Sequence, residues 1–209
     1  MKIVFILAHF DDEAFSSGTI RKFVDDGHSV NILIVCGNGG SLHDDRKKIF
    51  IKNLELMGAT GGSLGYFDLT LAGLDSSTKI ELKESIETYI FDNKFDTVFT
   101  NNSGDIHTDH TTVSELVHVV CRPRSCEVKT LYECYIAGST EYGKGTDDFK
   151  TIVDINPTIL TKQQCVLNYN KHLKGAASYE SIKYSSLYFG DMYGFNYAEI
   201  FKLVWDRSL

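Results

Sequence analysis

An unbroken apolar run that ends abruptly in charged residues constrains the fold of this chain more than any other feature. Residues 3–8 are all apolar, and His-Phe-Asp-Asp-Glu follows them at positions 9–13. A short apolar run is typical of a buried parallel strand, and open α/β sheets bind ligands beyond the carboxyl ends of such strands. Adjacent carboxylates repel one another unless a cation, a proton or a basic partner neutralises them. We therefore expect a divalent metal at the tip of this strand.

Helices and strands alternate after this first strand. Apolar positions at helical spacing follow residue 16, Gly27 ends that helix, and a second apolar run covers residues 30–36. This β-α-β unit implies parallel strands with a right-handed crossover. Further helices are predicted over residues 44–57, 79–93 and 159–173, and further strands over 63–67, 96–100 and 131–136. The alternation predicts an α/β fold with a parallel sheet, whereas the aromatic-rich segment 179–201 shows no clear periodicity.

The composition favours one domain and argues against a nucleic-acid-binding surface. The chain has 209 residues, a formal net charge of −7 and only two prolines, and no Gly/Ser-rich or single-sign charged tract divides it. We therefore predict a single domain over residues 1–209. Nucleic-acid binding needs clustered lysines and arginines, which the sequence lacks. The first apolar run is too short for a membrane span, which favours a cytoplasmic protein, and the sequence leaves a homo-oligomer open.

The cysteine pattern also favours a cytoplasmic protein. There are five of them, an odd number, and none has the paired C-x-x-C spacing of a zinc knuckle or a redox motif. Most are therefore predicted to be buried thiols in a reducing cytoplasm.

A second polar cluster follows the fourth predicted strand. It ends in His-Thr-Asp-His at positions 107–110, just before apolar positions at helical spacing. Because the carboxyl ends of parallel strands meet at one edge of a sheet, we expect this cluster to join residues 9–13. His9, Asp12 and His110 then make a two-histidine, one-carboxylate set, which is typical of catalytic Zn²⁺. Fe²⁺ is an alternative metal for such a set.

The remaining polar residues of the two clusters have the chemistry of catalytic groups. A metal-bound water with a pKa near 7 needs a proton acceptor, and Asp11 is the predicted general base. His107 is predicted to donate to the developing oxyanion and to protonate the leaving amine. Asp109 is predicted to orient His107 and to keep it protonated. Either cluster alone has a structural explanation, and only their joint placement favours a site.

The two motifs resemble those of the PIG-L/LmbE-like deacetylases, which are zinc-dependent N-acetylglucosaminyl deacetylases with an A-H-P-D-D-E strand end and a later H-P-D-H. Phe10 and Thr108 replace the two prolines of that pattern, and no predicted ligand is lost. The resemblance implies a Rossmann-like three-layer sandwich with a mostly parallel sheet. It also implies hydrolysis of an acetamido group on an amino sugar, with release of acetate. The same three metal ligands follow from it, and the same roles for Asp11 and His107.

The resemblance further implies that the partner is a small amino-sugar conjugate. Arg46 and Asp68 match positions that contact the sugar-conjugate substrate in relatives. Two other functions stay open on the sequence: an amidase that cleaves a larger acyl or thiol conjugate, and a non-catalytic sugar-binding domain that keeps the metal structurally. A complete set of base, acid and ligands favours the enzyme, because a binding module does not need the base and the acid.

Overall fold

The computed structural model describes residues 1–36, 41–65, 74–124, 126–173 and 178–207, with the backbone alone at 41–43. Its strands are β1 (Lys2–Leu7), β2 (Ser29–Ile34), β3 (Thr60–Ser63), β4 (Thr97–Thr100), β5 (Thr130–Cys134), β6 (Thr151–Asp154) and β7 (Ala198–Asp206). Its helices are α1 (Asp12–Phe15), α2 (Ser17–Asp25), α3 (Ser41–Met57), α4 (Ser76–Asn93), α5 (Thr108–Val120), α6 (Ile159–Asn168) and α7 (Tyr179–Tyr193). Within these ranges, no helix combines the length and apolar character that a membrane span requires.

The described strands form one seven-stranded sheet in the order β3-β2-β1-β4-β5-β7-β6. β1 pairs in parallel with β2 and β4, and parallel pairing extends to β3 on one side and β5 on the other. Among these strands only β7 runs against the rest, paired antiparallel with β5 and β6. The predicted α/β fold with a mostly parallel sheet is confirmed.

Both faces of the sheet are buried, which explains the unbroken apolar run of β1. Ile3, Phe5 and Leu7 point into the core on one face, beneath α2, α3, α6 and α7. Val4 and Ile6 point into the core on the other face, beneath α4 and α5. Successive side chains of a strand alternate between faces, so a strand covered on both sides is apolar at every position. The result is a three-layer sandwich.

β3 lies earlier than the sequence predicts. The strand covers Thr60–Ser63 instead of residues 63–67, of which 66 and 67 lie outside the described residues. Glycines are poor strand formers, but Gly61 lies so close to β2 that a Cβ there would be 2.6 Å from the carbonyl oxygen of Ile32. Close approach of two backbones, which only glycine allows, outweighs the propensity at this position.

The C-terminal part also differs from the sequence-based prediction. α6 ends at Asn168, five residues before the predicted end at 173. The segment 179–201 contains α7 and the first residues of β7. β7 inserts between β5 and β6, and this long-range antiparallel pairing has no local pattern that would reveal it.

The strand order brings the two polar clusters together. β1 and β4 are neighbours, and the chain leaves both at the same carboxyl edge of the sheet, toward α1 and α5. From β1 the chain adds β2 and β3 on one side of the sheet, and it then returns to add β4 and β5 on the other side of β1. The carboxyl ends of β1 and β4 are therefore the topological switch point, where open α/β sheets bind ligands. The backbone N–H of Ala8 donates to Asn101 Oδ1 at 2.9 Å and ties the two strand ends together.

A buried ion pair anchors the segment behind the first cluster. Lys162 Nζ lies 2.6 Å from Glu199 Oε1 and donates to the carbonyl of Phe15 at 2.6 Å. The Glu199 carboxylate also accepts from the backbone N–H groups of Gly18 and Thr19, in the first turn of α2. A carboxylate at a helix N-terminus satisfies amides that have no partner within the helix. α6, β7 and α2 are thereby joined beneath the loop that carries His9.

We expect Lys162→Met to destabilise the protein, because the substitution leaves the buried Glu199 carboxylate without its cation. The expected loss is about 3 kcal/mol in the free energy of unfolding, measured by urea denaturation. Lys48→Met is the matched control, because Lys48 is exposed and, in the described part of the chain, forms its ion pair with Asp45 at 3.8 Å. Its effect should stay below about 0.5 kcal/mol. Equal effects of the two substitutions would contradict an anchoring role for the buried pair.

Candidate metal centre and active site

The loop from β1 to α1 holds Asp11 in a strained backbone conformation. Its φ is 115°, a left-handed value that costs a non-glycine residue about 1–3 kcal/mol and recurs at functional sites. The fully buried Glu13 stabilises this turn, because its Oε2 accepts from the backbone N–H of Asp11 at 3.0 Å. Asn53 donates to the other carboxylate oxygen at 3.3 Å. Burial raises the pKa of Glu13 to about 7.

Asp12 lies between the two histidines predicted to bind metal. Its Oδ1 is 3.4 Å from His110 Nε2, and its Oδ2 is 3.9 Å from His9 Nδ1. Asn101 Nδ2 donates to Oδ2 at 3.1 Å and fixes the carboxylate. Burial by itself would raise the pKa of Asp12, but the charges and hydrogen bonds of His110 and His9 lower it below its ordinary value. The structure thus brings His9, Asp12 and His110 together.

Each of these histidines has an acid at its second ring nitrogen. His9 Nε2 is 3.0 Å from Asp109 Oδ2, and His110 Nδ1 is 3.2 Å from Asp105 Oδ2. Histidines that bind metals characteristically place a carboxylate at the ring nitrogen away from the ion, which fixes the tautomer and the orientation of the ring. The two imidazoles therefore each present one nitrogen to Asp12 and are held from behind by an acid.

The donor types of this set suit a small divalent cation. Zn²⁺ takes imidazole nitrogens and carboxylate oxygens as ligands, and Asp12 offers one oxygen to each histidine, Oδ1 at 3.4 Å from His110 and Oδ2 at 3.9 Å from His9. The chemistry of the donor set fits the ion that the sequence predicts.

Two other sets of ligand atoms overlap with the predicted one. Those of His9, His107 and His110 lie within 4.8 Å of one another, and so do those of His9, Cys36 and Asp109. The Cys36 thiol donates to Asp109 Oδ2 at 4.0 Å, and burial raises the pKa of this thiol. Cys36 therefore lies against the acid that pairs with His9.

The predicted base and a predicted substrate contact form an ion pair. Arg46 Nη1 is 3.1 Å from Asp11 Oδ2. Burial and the nearby charge of Asp12 raise the pKa of Asp11 to about 6, although the charge of Arg46 opposes the shift. Arg46 Nε is buried and has no hydrogen-bond partner among the described residues. Asp68, the other predicted substrate contact, lies outside the described residues.

The position of Asp109 differs from the sequence-based prediction. Its carboxylate pairs with His9, while its backbone N–H donates to Nδ1 of His107, the N-cap of α5, at 3.3 Å. Burial, together with the charges of His110 and His9, lowers the pKa of His107. We therefore correct the prediction that Asp109 keeps His107 protonated: an Nδ1 that accepts a backbone hydrogen bond places the proton of the neutral ring on Nε2.

Asp105 is the site residue that sequence reasoning missed. Its Oδ2 lies 3.2 Å from His110 Nδ1 and accepts from Ser139 and Thr140, while its Oδ1 accepts from the backbone N–H of His107. The loop that carries Asp105 packs directly on the turn after β5, where the backbones of Gly104 and Gly143 are in contact. Ser139 and Thr140, which hold the Asp105 carboxylate, come from a distant part of the chain. The one signal in the sequence for a role of Asp105 behind His110 is that this acid lies just before the second motif.

Comparison with known proteins relates more than half of the chain to one family. A family model described as PIG-L, GlcNAc-PI de-N-acetylase, matches residues 4–121. This range includes every site residue described above except those that follow β5, namely Ser139, Thr140 and Gly143. No curated protein gives a significant sequence match.

Solved structures of low sequence identity share the fold. N,N'-diacetylchitobiose deacetylase from Pyrococcus horikoshii has a TM-score of 0.76 at 18% identity, covering 97% of this chain and 83% of its own. A deacetylase of teicoplanin biosynthesis has a TM-score of 0.79 at 14% identity, covering 97% of both chains. A 4-carboxy-2-hydroxymuconate hydratase from Pseudomonas putida KT2440 has a TM-score of 0.76 at 16% identity, covering 100% and 98%. Because a hydratase shares the fold, the fold alone does not determine the reaction.

We expect Gly143→Ala to destabilise the protein, because its Cβ would overlap the backbone carbonyl of Gly104. The loop that carries Asp105 must then shift, at a cost of about 1–3 kcal/mol in the free energy of unfolding. Gly62→Ala is the matched control, since a Cβ at Gly62 meets nothing within 4 Å. Urea denaturation of both variants makes the comparison. A loss in the Gly143 variant no larger than in the control would contradict the close contact of the two loops.

Proposed function

The chain belongs to the PIG-L family of GlcNAc-PI de-N-acetylases, and on this basis we propose that it is a metal-dependent hydrolase that removes the N-acetyl group from an amino-sugar conjugate and releases acetate. One observation carries the proposal. His9 and His110 each direct one ring nitrogen to Asp12 and the other to an acid. Asp11, which is not needed to complete that set, lies beside it with a raised pKa.

In this proposal His9, Asp12 and His110 hold the ion. With Zn²⁺ bound, these residues would present a Lewis acid that could polarise the amide carbonyl and lower the pKa of a water molecule. Fe²⁺ is the alternative, because imidazole and carboxylate ligands accept both metals. Asp105 and Asp109 orient the two imidazoles through their second nitrogens.

Asp11 and His107 handle the protons. Asp11 accepts a proton from the attacking water, and a pKa of about 6 suits a base that works near neutral pH. The Nδ1 atom of His107 is occupied by the backbone N–H of Asp109, so Nε2 is its donor. From there the neutral ring of His107 hydrogen-bonds the developing oxyanion, and Asp11 returns the proton that it took from the water to the leaving amine.

The substrate class follows from the family and from Arg46. An N-acetylated amino-sugar conjugate agrees with the family description. Arg46, held beside Asp11 with a buried Nε that has no hydrogen-bond partner among the described residues, is placed to contact such a substrate, and we retain Asp68 as a second contact. We also retain two predictions from the sequence: a single domain over residues 1–209 and a cytoplasmic location.

The deciding experiment is acetate release from a panel of probes. We would incubate the protein with N-acetylglucosamine, N,N'-diacetylchitobiose and N-acetylglucosaminyl-phosphatidylinositol, and measure acetate with and without a chelator. The proposal predicts release from at least one probe, its loss on chelation and its recovery with Zn²⁺ or Fe²⁺. Release of a larger acid from longer acyl amides alone would favour the amidase. Metal binding without any release would favour the sugar-binding domain.

We expect Asp11→Asn and His110→Ala to separate catalysis from metal binding. Asp11→Asn removes the base but no ligand, so turnover should fall by about 100-fold or more while metal content is unchanged. His110→Ala removes a ligand, so metal content itself should fall. Turnover is measured by acetate release and metal content by atomic absorption. Wild-type turnover in Asp11→Asn would refute the assignment of the base.

Asp105→Asn tests the role of the acid behind His110. Loss of such an acid should weaken metal affinity about 10–100-fold, because the imidazole is less basic and less well oriented. The control is Asp148→Asn, since Asp148 is exposed and pairs with Lys202 at 3.8 Å, far in the sequence from the predicted ligands. Affinity is measured by competition with a chromogenic chelator. Equal affinities in the two variants would show that Asp105 does not support the ligand.

A further inference from the structure

Helix α3 holds the loop that carries Asp11 at two positions. Arg46 pairs with the Asp11 carboxylate at 3.1 Å. Asn53, seven residues later on the same helix, donates to Glu13 Oε1 at 3.3 Å, and Glu13 Oε2 accepts from the backbone N–H of Asp11 at 3.0 Å. Residues seven apart lie on one face of an α-helix, about 10 Å apart along its axis. One face of α3 therefore holds both the side chain of Asp11 and, through Glu13, its backbone.

Asn53 is fully buried, and its side-chain amide makes contacts in three directions. Besides Glu13, its Nδ2 donates to the carbonyl of Cys165 at 3.3 Å. Its Oδ1 accepts from Asn168 Nδ2 at 2.8 Å. An amide has two N–H donors and one oxygen, so the hydrogen-bonding capacity of both ends is used. Because Cys165 and Asn168 belong to α6, this one side chain joins α3, α6 and the loop that follows β1.

The outer end of the network determines the direction of its hydrogen bonds. The ammonium group of Lys52 can only donate, so the atom of Asn168 that lies 3.1 Å from it is the oxygen. The amide nitrogen of Asn168 then faces Asn53, which must accept with its oxygen and donate with its nitrogen. Both oxygens of Glu13 therefore act as acceptors. The hydrogen bonds form one directed series from the exposed Lys52 to the backbone of Asp11.

The backbone at the inner end of this network is strained. Asp11 is the N-cap of α1, yet its side chain makes no capping hydrogen bond and its φ is left-handed. Such a conformation persists only where the surrounding contacts hold it. It also directs two adjacent carboxylates apart, since that of Asp11 faces Arg46 while that of Asp12 faces His110. The turn at Asp11 thus separates the proposed base from the proposed ligand next to it.

We propose that Asn53 is a positioning residue, which acts through Glu13 to hold Asp11 in the left-handed conformation that separates the base from the metal-binding carboxylate. The inference rests on the proposed function, because only that function makes Asp11 a base. Without this network the turn relaxes and the Asp11 carboxylate loses its alignment with the attacking water. The three metal ligands are not altered. The chemical step is therefore slowed, while metal binding and substrate affinity are retained.

Exchange of the acid and the amide tests the polarity of the network. Asn53→Asp places a carboxylate against Glu13. Glu13→Gln places an amide N–H against either Asn53 Nδ2 or the N–H of Asp11, so each single substitution creates one repulsive contact. In the double variant the introduced glutamine donates to the introduced aspartate and still accepts from Asp11. Recovery in the double variant is the signature of a coupled pair, and loss of packing alone would not produce it.

Amide hydrogen exchange of peptides covering residues 8–15, measured by mass spectrometry, follows the loop without any need for activity. Exchange should be at least about tenfold faster in each single variant than in the wild type, and near the wild-type rate in the double variant. Asn31→Asp is the matched control, because Asn31 Oδ1 accepts from the Thr60 hydroxyl at 2.7 Å, a role that aspartate keeps. Equal exchange in the wild type and in Asn53→Asp would overturn the proposal.

Acetate release from the probe that the wild type hydrolyses fastest gives the kinetic readout. In folded, metal-loaded Asn53→Asp, kcat should fall about 10–100-fold while KM and metal content stay near wild type, and the double variant should recover most of the loss. An unchanged kcat in the folded, loaded variant would show a merely structural role and overturn the proposal. If the wild type hydrolyses no probe while exchange responds as expected, the proposed function fails and the control of the Asp11 backbone by Asn53 stands.

Discussion

The structure depends on the burial of a carboxylate between two imidazoles. Asp12 lies within 4 Å of both His9 and His110, and acids stand behind each ring. Burying so many acids is costly unless cations, protons or hydrogen bonds compensate. Here the histidines, Asn101 and the paired guanidinium of Arg46 supply part of that compensation. A divalent cation, as proposed, would supply a positive charge beside these acids, so the same buried carboxylates that are costly for folding are suited to holding a metal.

The scaffold makes this concentration of charge tolerable. β1 is held on both sides by parallel neighbours and on both faces by apolar helices, so its carboxyl end is a rigid position. Asn101 links that end to the end of β4 and also holds Asp12. Behind the loop, Lys162 and Glu199 fix α2 through its first amides. Contacts from α6 and β7, far along the chain, thus stabilise a loop near residue 10.

Much of this could be predicted from the sequence. The apolar run of β1, the β-α-β unit and the two polar motifs indicated a parallel sheet with His9, Asp12 and His110 at one edge. What the sequence did not reveal depends on contacts between distant segments. The role of Asp105 requires Ser139 and Thr140 beyond β5, and β3 exists because Gly61 lets two backbones approach. The sequence suggests His107, a near neighbour, as the partner of Asp109, whereas in the folded chain the carboxylate of Asp109 pairs with His9, a hundred residues away.

The left-handed backbone of Asp11 has a consequence for the evolution and engineering of this chain. Glycine would relieve the backbone strain at this position, and it would also remove a buried carboxylate beside Asp12. The same substitution would leave the largely buried guanidinium of Arg46 without the carboxylate that lies 3.1 Å from it. Selection for thermal resistance at this codon therefore weighs backbone strain against an ion pair, whereas selection for turnover would add the proposed role of Asp11 as the base to the side of aspartate.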